Sequence, residues 1–414
     1  MSEPGSPPWR RAEARRLTGF GRAAALPPPR GGFGWLDARG DVDTAQPCPL
    51  YLNARMTYVF TLAHLEGVPG AGALAASGLQ ALAGRYADPE HGGYFAEIDL
   101  PGRVTDTTKA NYAHAHVLLA AASATAAGLP GAEPALAAAT AAIEAHFWSD
   151  AEGAALESWD AAFTASEPYR GANSNMHSVE AYLAAADATG DRTWLDRAAS
   201  VAARLIDGQA RAHAWRIPEH YDEHWQPRLD YHHDRRSDQF RPYGTTPGHS
   251  FEWARLLLTL ESALQAAGSP PPAWLPEAAV ALFGAAVADA WRRDDHPAFV
   301  YTVGEDGQPA VTTRMHWVAC EAVLAADALH RRTGEERFAA LAARWWGEID
   351  RYFLDRDGGS WWPELTPDMT PAASTWPGKP DLYHAYQAVL LPSLPLSPTA
   401  AAALSRRGPR SAPS

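Results

Sequence analysis

The chain has 414 residues, of which 46% are hydrophobic, and a formal charge of −13. That is enough apolar material for two or three domains or for one large helical array, and an acidic balance with no long Lys/Arg run excludes a nucleic-acid surface. Cys48 and Cys320 form neither a CxxC pair nor a disulfide framework, the N-terminus lacks an apolar signal core, and no stretch reaches the ~20 apolar residues that span a membrane, so a cytoplasmic protein without a membrane partner is expected.

In chain order, residues 1–16, "MSEPGSPPWRRAEARR", are polar and basic and read as a flexible segment. Alanine-rich amphipathic stretches follow, beginning with "MTYVFTLAHLEG", "GALAASGLQALAGRYA" and "KANYAHAHVLLAAASATAAG". They continue to "HWVACEAVLAADALHRRTGE" and "ERFAALAARWWGEIDRYFL", and all carry apolar residues at helical spacing. With an N-terminal helix and one near 380–392 the count is about twelve. After Pro392 the sequence turns polar again, and 396–414 reads as a disordered tail.

The helices come in pairs. Links such as "ATGDRTW" and "RTGEERF" are short and Gly-bearing, which sets antiparallel helices side by side. Longer loops rich in Gly, Asp and aromatics separate the pairs: "DPEHGGYFAEIDLPGRV", "SDAEGAALESWD", "PEHYDEHWQP", "DDHPAFVYTVGEDGQP", "DRDGGSWWPEL". Several read as short hairpins. The pattern repeats about every 60 to 80 residues, and no polar capping repeat stands at either end, so a closed ring is expected rather than an open solenoid. The expectation is one all-α (α/α)6 barrel over 17–395 with the aromatic loops at one mouth. Its 16 Trp, 14 Tyr and 12 Phe supply flat faces of the kind that hold sugars.

Polar residues collect at the helix starts. Arg55 stands among Met56, Val59 and Phe60; Tyr112, His114 and His116 occupy the first turns of another helix. Asn173, Asn175, His177 and Glu180 follow, then His249 and Glu252 in "PGHSFEWARL", Arg314, Trp317 and Glu321, and finally Lys379 and His384. The i,i+3 spacing predicts that Glu180 lies beside His177 and Glu252 beside His249. A carboxylate fixes an imidazole's tautomer and raises its basicity, so two such rings facing one pocket form a proton-transfer pair. A histidine at a helix start is also a common cap. His114 and His116, two apart, point away from each other, and His232 and His233 sit in a polar loop. With no HExxH, facial triad or Cys cluster, no metal is expected, and with no Gly-rich phosphate loop or Ser elbow, no cofactor. A glycosidase would need two carboxylates flanking the scissile bond.

"RMTYVF", "HGGYFAEIDLPGRVTDTTKANYAHA", "NSNMHSVEAYL", "TPGHSFEWARLLL" and "KPDLYHA" together resemble the N-acylglucosamine 2-epimerase superfamily, which includes cellobiose 2-epimerases and aldose–ketose isomerases. "LESWDAAFTASEPYRGANSNMHSVEAYL", "PPAWLPEAAVALF" and "GFGWLDARG" are most similar to its mannose and sulfoquinovose isomerases. The resemblance implies a cofactor-free reaction on a monosaccharide. His384 would take the C2 proton and return it at C1; His249 would open the ring and move hydroxyl protons, oriented by Glu252; Arg55 would stabilise the enediolate. His177, Tyr112, Asn173, Glu180 and Trp317 would hold the sugar, and Trp362 would wall the site. The sulfoquinovose branch carries a Gln before the Glu of the last aromatic loop, where "SWWPELTP" has Pro363, which has no donor. A neutral hexose, D-mannose or a relative such as D-lyxose, is therefore the expected substrate, with sugar 2-epimerisation or sulfoquinovose isomerisation as the alternatives. Nothing in the sequence gives an oligomeric state.

Overall fold

Alanine loses no side-chain entropy in a helix and lets backbones approach closely, and the alanine-rich stretches use both properties. The computed structural model describes residues 2–292 and 297–407. Its helices, in chain order, are α1 (Pro7–Gly21), α2 (Leu50–Leu65), α3 (Ala71–Ala81), α4 (Asn111–Ala126), α5 (Ala132–Ala142), α6 (Ala172–Thr189) and α7 (Thr193–Ala202). They continue with α8 (Pro247–Ala266), α9 (Trp274–Ala290), α10 (His316–Thr333), α11 (Glu336–Glu348), α12 (Tyr383–Leu390) and α13 (Ala400–Arg407). Helices α2, α4, α6, α8, α10 and α12 are buried almost all round and form an inner ring, whereas their partners bury a single stripe.

Each inner helix packs on the outer helix that follows it, α2 on α3 through α10 on α11. The ring closes because α12 packs against α10, α2 and α1, so that the N-terminal helix supplies the outer member of the sixth hairpin. This is the (α/α)6 barrel expected from the repeat. The links inside α6–α7 and α10–α11 turn on Gly190 and Gly334, both left-handed (φ 70° and 73°), whose N–H groups donate to Ala186 and His330 carbonyls. Four outer helices, α3, α5, α7 and α11, widen into a π-helical stretch at the C-terminal end, a further mark of the repeat.

The aromatic loops form short antiparallel ladders at one mouth. Tyr169–Gly171 pairs with His220–Asp222, Lys109–Ala110 with Ser158–Trp159, and Arg314–Met315 with Glu364–Leu365. In each case a strand leading directly into an inner helix is clamped by a loop from elsewhere in the chain. The N-terminal turns of the inner helices are therefore positioned by backbone hydrogen bonds as well as by packing.

Two expectations are corrected. Residues 1–16 are helical from Pro7: Trp9 and Leu17 are buried, Trp9 Nε1 donates to Asp350 Oδ1 at 3.1 Å, and Glu13 accepts from Trp361 Nε1 at 2.6 Å. The arginines that made the segment look flexible lie between and beside this stripe, and Arg16 donates to the Asp355 and Ser360 carbonyls at 2.8 and 2.9 Å. The 396–414 segment is helical at Ala400–Arg407, where α13 packs across α2, α4 and α6 and closes the end of the barrel opposite the mouth. Thr399 ties it down through two hydrogen bonds to Asp187 Oδ2, at 2.7 Å from N and 2.6 Å from Oγ1. Residues 408–414 of the expected tail lie outside the described residues.

Candidate active site

At the mouth the inner helices surround a cavity of about 810 Å³, its opening included, within the range of small-molecule pockets. Arg55, Tyr112, Asn173, His177, His249 and His384 all face it, as does Trp317. Residues from six inner helices thus meet in one place.

His249 stands in the first turn of α8, after Pro247, which occupies N1 where its missing N–H costs nothing. Gly248 is required: a Cβ there would collide with the Trp317 ring. That ring packs against both histidines, 5.2 Å from His249 and 5.5 Å from His384 between centroids, and is tilted 37° and 35° to them. Both imidazoles have Nδ1 on a buried carboxylate. His249 Nδ1 lies 3.0 and 2.9 Å from the oxygens of Glu219, and His384 Nδ1 lies 2.9 Å from Glu321 Oε1. With Nδ1–H donating, each ring keeps a basic Nε2 for the cavity.

The orienting partner of His249 is therefore Glu219, not Glu252. Glu219 precedes the strand His220–Asp222, whose pairing with Tyr169–Gly171 continues through Ala172 N–H to Glu219 O at 3.0 Å. Its carboxylate also accepts Thr246 N–H at 3.1 Å, just ahead of α8. Glu252 points deeper, toward Arg255 (3.5 Å) and His177 Nδ1 (3.9 Å). Burial, reinforced by the charge of Glu321, pushes its carboxyl well above the ordinary range and favours the protonated form. His177 and Glu180 are near each other at 3.8 Å but do not hydrogen-bond. Glu180 lies behind the cavity wall as acceptor of the Tyr383 hydroxyl, and Trp362 lies under Lys379 Nζ at 4.1 Å, so neither lines the cavity. Trp317, Trp361 and Trp376 do.

Arg55 is held by three groups: Nε donates to His116 Nε2 at 3.0 Å, Nη2 to Tyr112 OH at 2.6 Å, and Nη1 to Asp381 Oδ2 at 3.3 Å. Burial acts to lower its pKa, but Tyr112 and Asp381 outweigh it and keep the guanidinium charged. Two of its five N–H donors remain available. Burial also lowers the pKa of His384, partly offset by the hydrogen bond to Glu321, so the ring is neutral at physiological pH and able to accept a proton. His316, missed in the sequence, lines the same wall, where burial and His384 lower its pKa to about 4. Asp381 and Glu219 were missed as well. His114 serves structure, its Nε2 accepting Tyr94 N–H at 3.1 Å.

Asn173 Oδ1 and Trp376 Nε1 border the cavity without hydrogen-bond partners, as acceptor and donor for a polyhydroxylated guest. The arrangement supplies a neutral base, a second carboxylate-held imidazole, a fixed cation and aromatic walls, which suits proton transfer on a sugar.

Residues 31–388 match the N-acylglucosamine 2-epimerase (GlcNAc 2-epimerase) family. Among curated proteins the chain is 52% identical to a D-mannose isomerase of Thermobifida fusca over 401 residues, 97% of each chain. It is 46% identical to a D-mannose isomerase of Pseudomonas cannabina pv. alisalensis over 405 residues, covering 98% of this chain and 96% of that one. A crystal structure of a D-mannose isomerase superposes with a TM-score of 0.86 at 29% identity, covering 93% of this chain and 97% of that one. The chain belongs to the N-acylglucosamine 2-epimerase family.

Proposed function

We propose that this protein is a D-mannose isomerase, converting D-mannose to D-fructose by proton transfer through an enediolate, in soluble carbohydrate metabolism of the cytoplasm. One observation carries the reading: two imidazoles, each with Nδ1 on a buried carboxylate, open onto one sugar-sized cavity beside a charged Arg55. The named activities of the two most similar relatives described above support it.

In the open-chain aldose, His384 Nε2 removes the C2 proton and negative charge develops on O1. Arg55 faces that charge with its two free N–H groups, in a site where a fixed cation needs no reorganisation. His249 Nε2 takes the O2 proton and delivers it to O1, which moves the negative charge to O2, the oxygen that becomes the C2 carbonyl. His384 returns its proton to C1, completing the ketose. Bond changes and protons balance without a redox partner. Pro363 borders the cavity and has no N–H, and its carbonyl is occupied by His316 N–H at 3.0 Å, which favours an uncharged C6 hydroxyl over a sulfonate.

The test is proton NMR of D-mannose incubated with the protein. Fructose signals support the proposal; glucose as sole product would make it a 2-epimerase, and an unchanged spectrum would overturn it.

A further inference from the structure

At the base of the cavity, His177 and Glu252 line it and Glu180 lies just behind them, in a cluster rich in acceptors. His177 Nδ1 lies 3.8 Å from Glu180 Oε2 and 3.9 Å from Glu252 Oε1, and all three residues are more than nine-tenths buried. Neither His177 Nδ1 nor Glu252 Oε2 has a hydrogen-bond partner. Buried polar atoms are almost always paired, so two orphans in one cluster call for an occupant. Burial, then Arg55, keep His177 neutral, so one of its ring nitrogens carries a bare lone pair.

The neighbouring carboxyl groups outnumber the guanidiniums that reach them. Arg255 serves three carboxyl groups: Glu321 at 3.3 Å, Glu252 at 3.5 Å and Glu180 at 3.8 Å. Arg55, on the other side, is paired with Asp381. Three carboxyls thus share one guanidinium. The Tyr383 hydroxyl donates to Glu180 Oε2, whose second lone pair remains. One nitrogen and two oxygens, mutually within 4.8 Å, match the donor set of zinc. Around a tetrahedral zinc ion bonded at about 2.0–2.2 Å, ligand atoms stand about 3.3–3.6 Å apart, so the two His177 separations, 3.8 and 3.9 Å, need to close by a few tenths of an ångström. His177 and Glu252 also line the sugar cavity. Magnesium, which requires an octahedron of oxygens, does not fit.

We propose that His177, Glu180 and Glu252 bind one divalent transition-metal ion of the zinc type, which competes with the sugar and inhibits the enzyme. Binding engages His177 and Glu252 where they line the cavity. Occupancy rests on the triad's geometry alone; the inhibition rests on the mannose isomerase reading. Calorimetric titration of the EDTA-treated full-length protein with zinc chloride separates the two. One ion per chain is expected, with affinity about tenfold or more weaker in Glu180→Gln and His177→Asn and unchanged in the His232→Ala/His233→Ala control. Absence of saturable binding, or equal affinity in folded Glu180→Gln, overturns the proposal. Should those variants fail to fold, cobalt(II) serves on the wild-type protein. A visible absorption band that D-mannose abolishes supports the site; a band that persists at saturating mannose overturns it.

Discussion

Glu219→Gln isolates what holds His249. The native carboxylate receives His249 Nδ1 on both oxygens, at 3.0 and 2.9 Å, and Thr246 N–H on Oε1 at 3.1 Å. Glutamine keeps the shape and one acceptor. If that oxygen stays on Thr246, the amide NH2 takes the other position and faces Nδ1, which turns the imidazole to the wrong tautomer. If it flips, Thr246 N–H faces a donor instead. A hydrogen bond to a charged partner contributes about 1.5–3 kcal/mol and a neutral one about 0.5–1.5, so the substitution costs about 1.5 kcal/mol in any step where His249 gains positive charge, about tenfold in rate. The tautomer change adds to this. Steady-state kinetics on D-mannose should therefore show kcat/KM reduced by about tenfold or more, with most of the loss in kcat. A variant as fast as wild type, or one impaired only in KM, would refute the assignment of Glu219 as the orienting carboxylate.

Acid should destabilise the fold. Burial, the dominant cause, lowers the pKa of His114 to about 3 and of His220 to about 4. The unfolded chain therefore binds protons that the folded one refuses, and stability falls as pH drops below the ordinary histidine value. At pH 5 each such ring costs about 2 kcal/mol, which urea denaturation at pH 7 and pH 5 measures; equal midpoints would contradict it. Arg55→Lys cannot reproduce the contacts to His116, Tyr112 and Asp381, and kcat should fall about 10²-fold, the scale of one lost oxyanion donor; sugar binding followed by tryptophan fluorescence should persist. Gly248→Ala forces its Cβ into the Trp317 ring between the two histidines, so a stability loss of about 1–3 kcal/mol is expected, with reduced turnover. A silent Gly248→Ala would show that the ring has room to move.

The barrel was legible because its repeat is written twice, in helical periodicity and in punctuation by Gly-bearing links and aromatic loops. The cavity residues on the inner helices were legible because each stands in or near a first turn, and six first turns converge at one mouth. Partners carried by loops were less so. Glu219 lies 30 residues before His249 in sequence, and only a strand pairing brings them together; the nearer Glu252, at i,i+3, points down the helix instead. A signal was nevertheless present. Glutamates recur in four aromatic loops, at Glu97, Glu157, Glu219 and Glu364. Glu157 accepts Gly171 N–H and Ser174 Oγ at the start of α6, much as Glu219 accepts Thr246 N–H and His249 at the start of α8. Glu364 accepts the N–H groups of Thr375 and Trp376 before α12. Helix α1 was obscured for another reason: arginines at 10, 11, 15 and 16 hide a stripe only one side wide, whose value depends on a partner strand of chain more than 330 residues away.

The role of His384 is tested most directly by following D-mannose deuterated at C2 in the wild type and in His384→Ala. The mechanism predicts a primary isotope effect in the wild type, with the label leaving C2, and mannose bound but never losing its label in the variant. Deuterium release by His384→Ala at a rate near that of the wild type would mean that another group takes the proton.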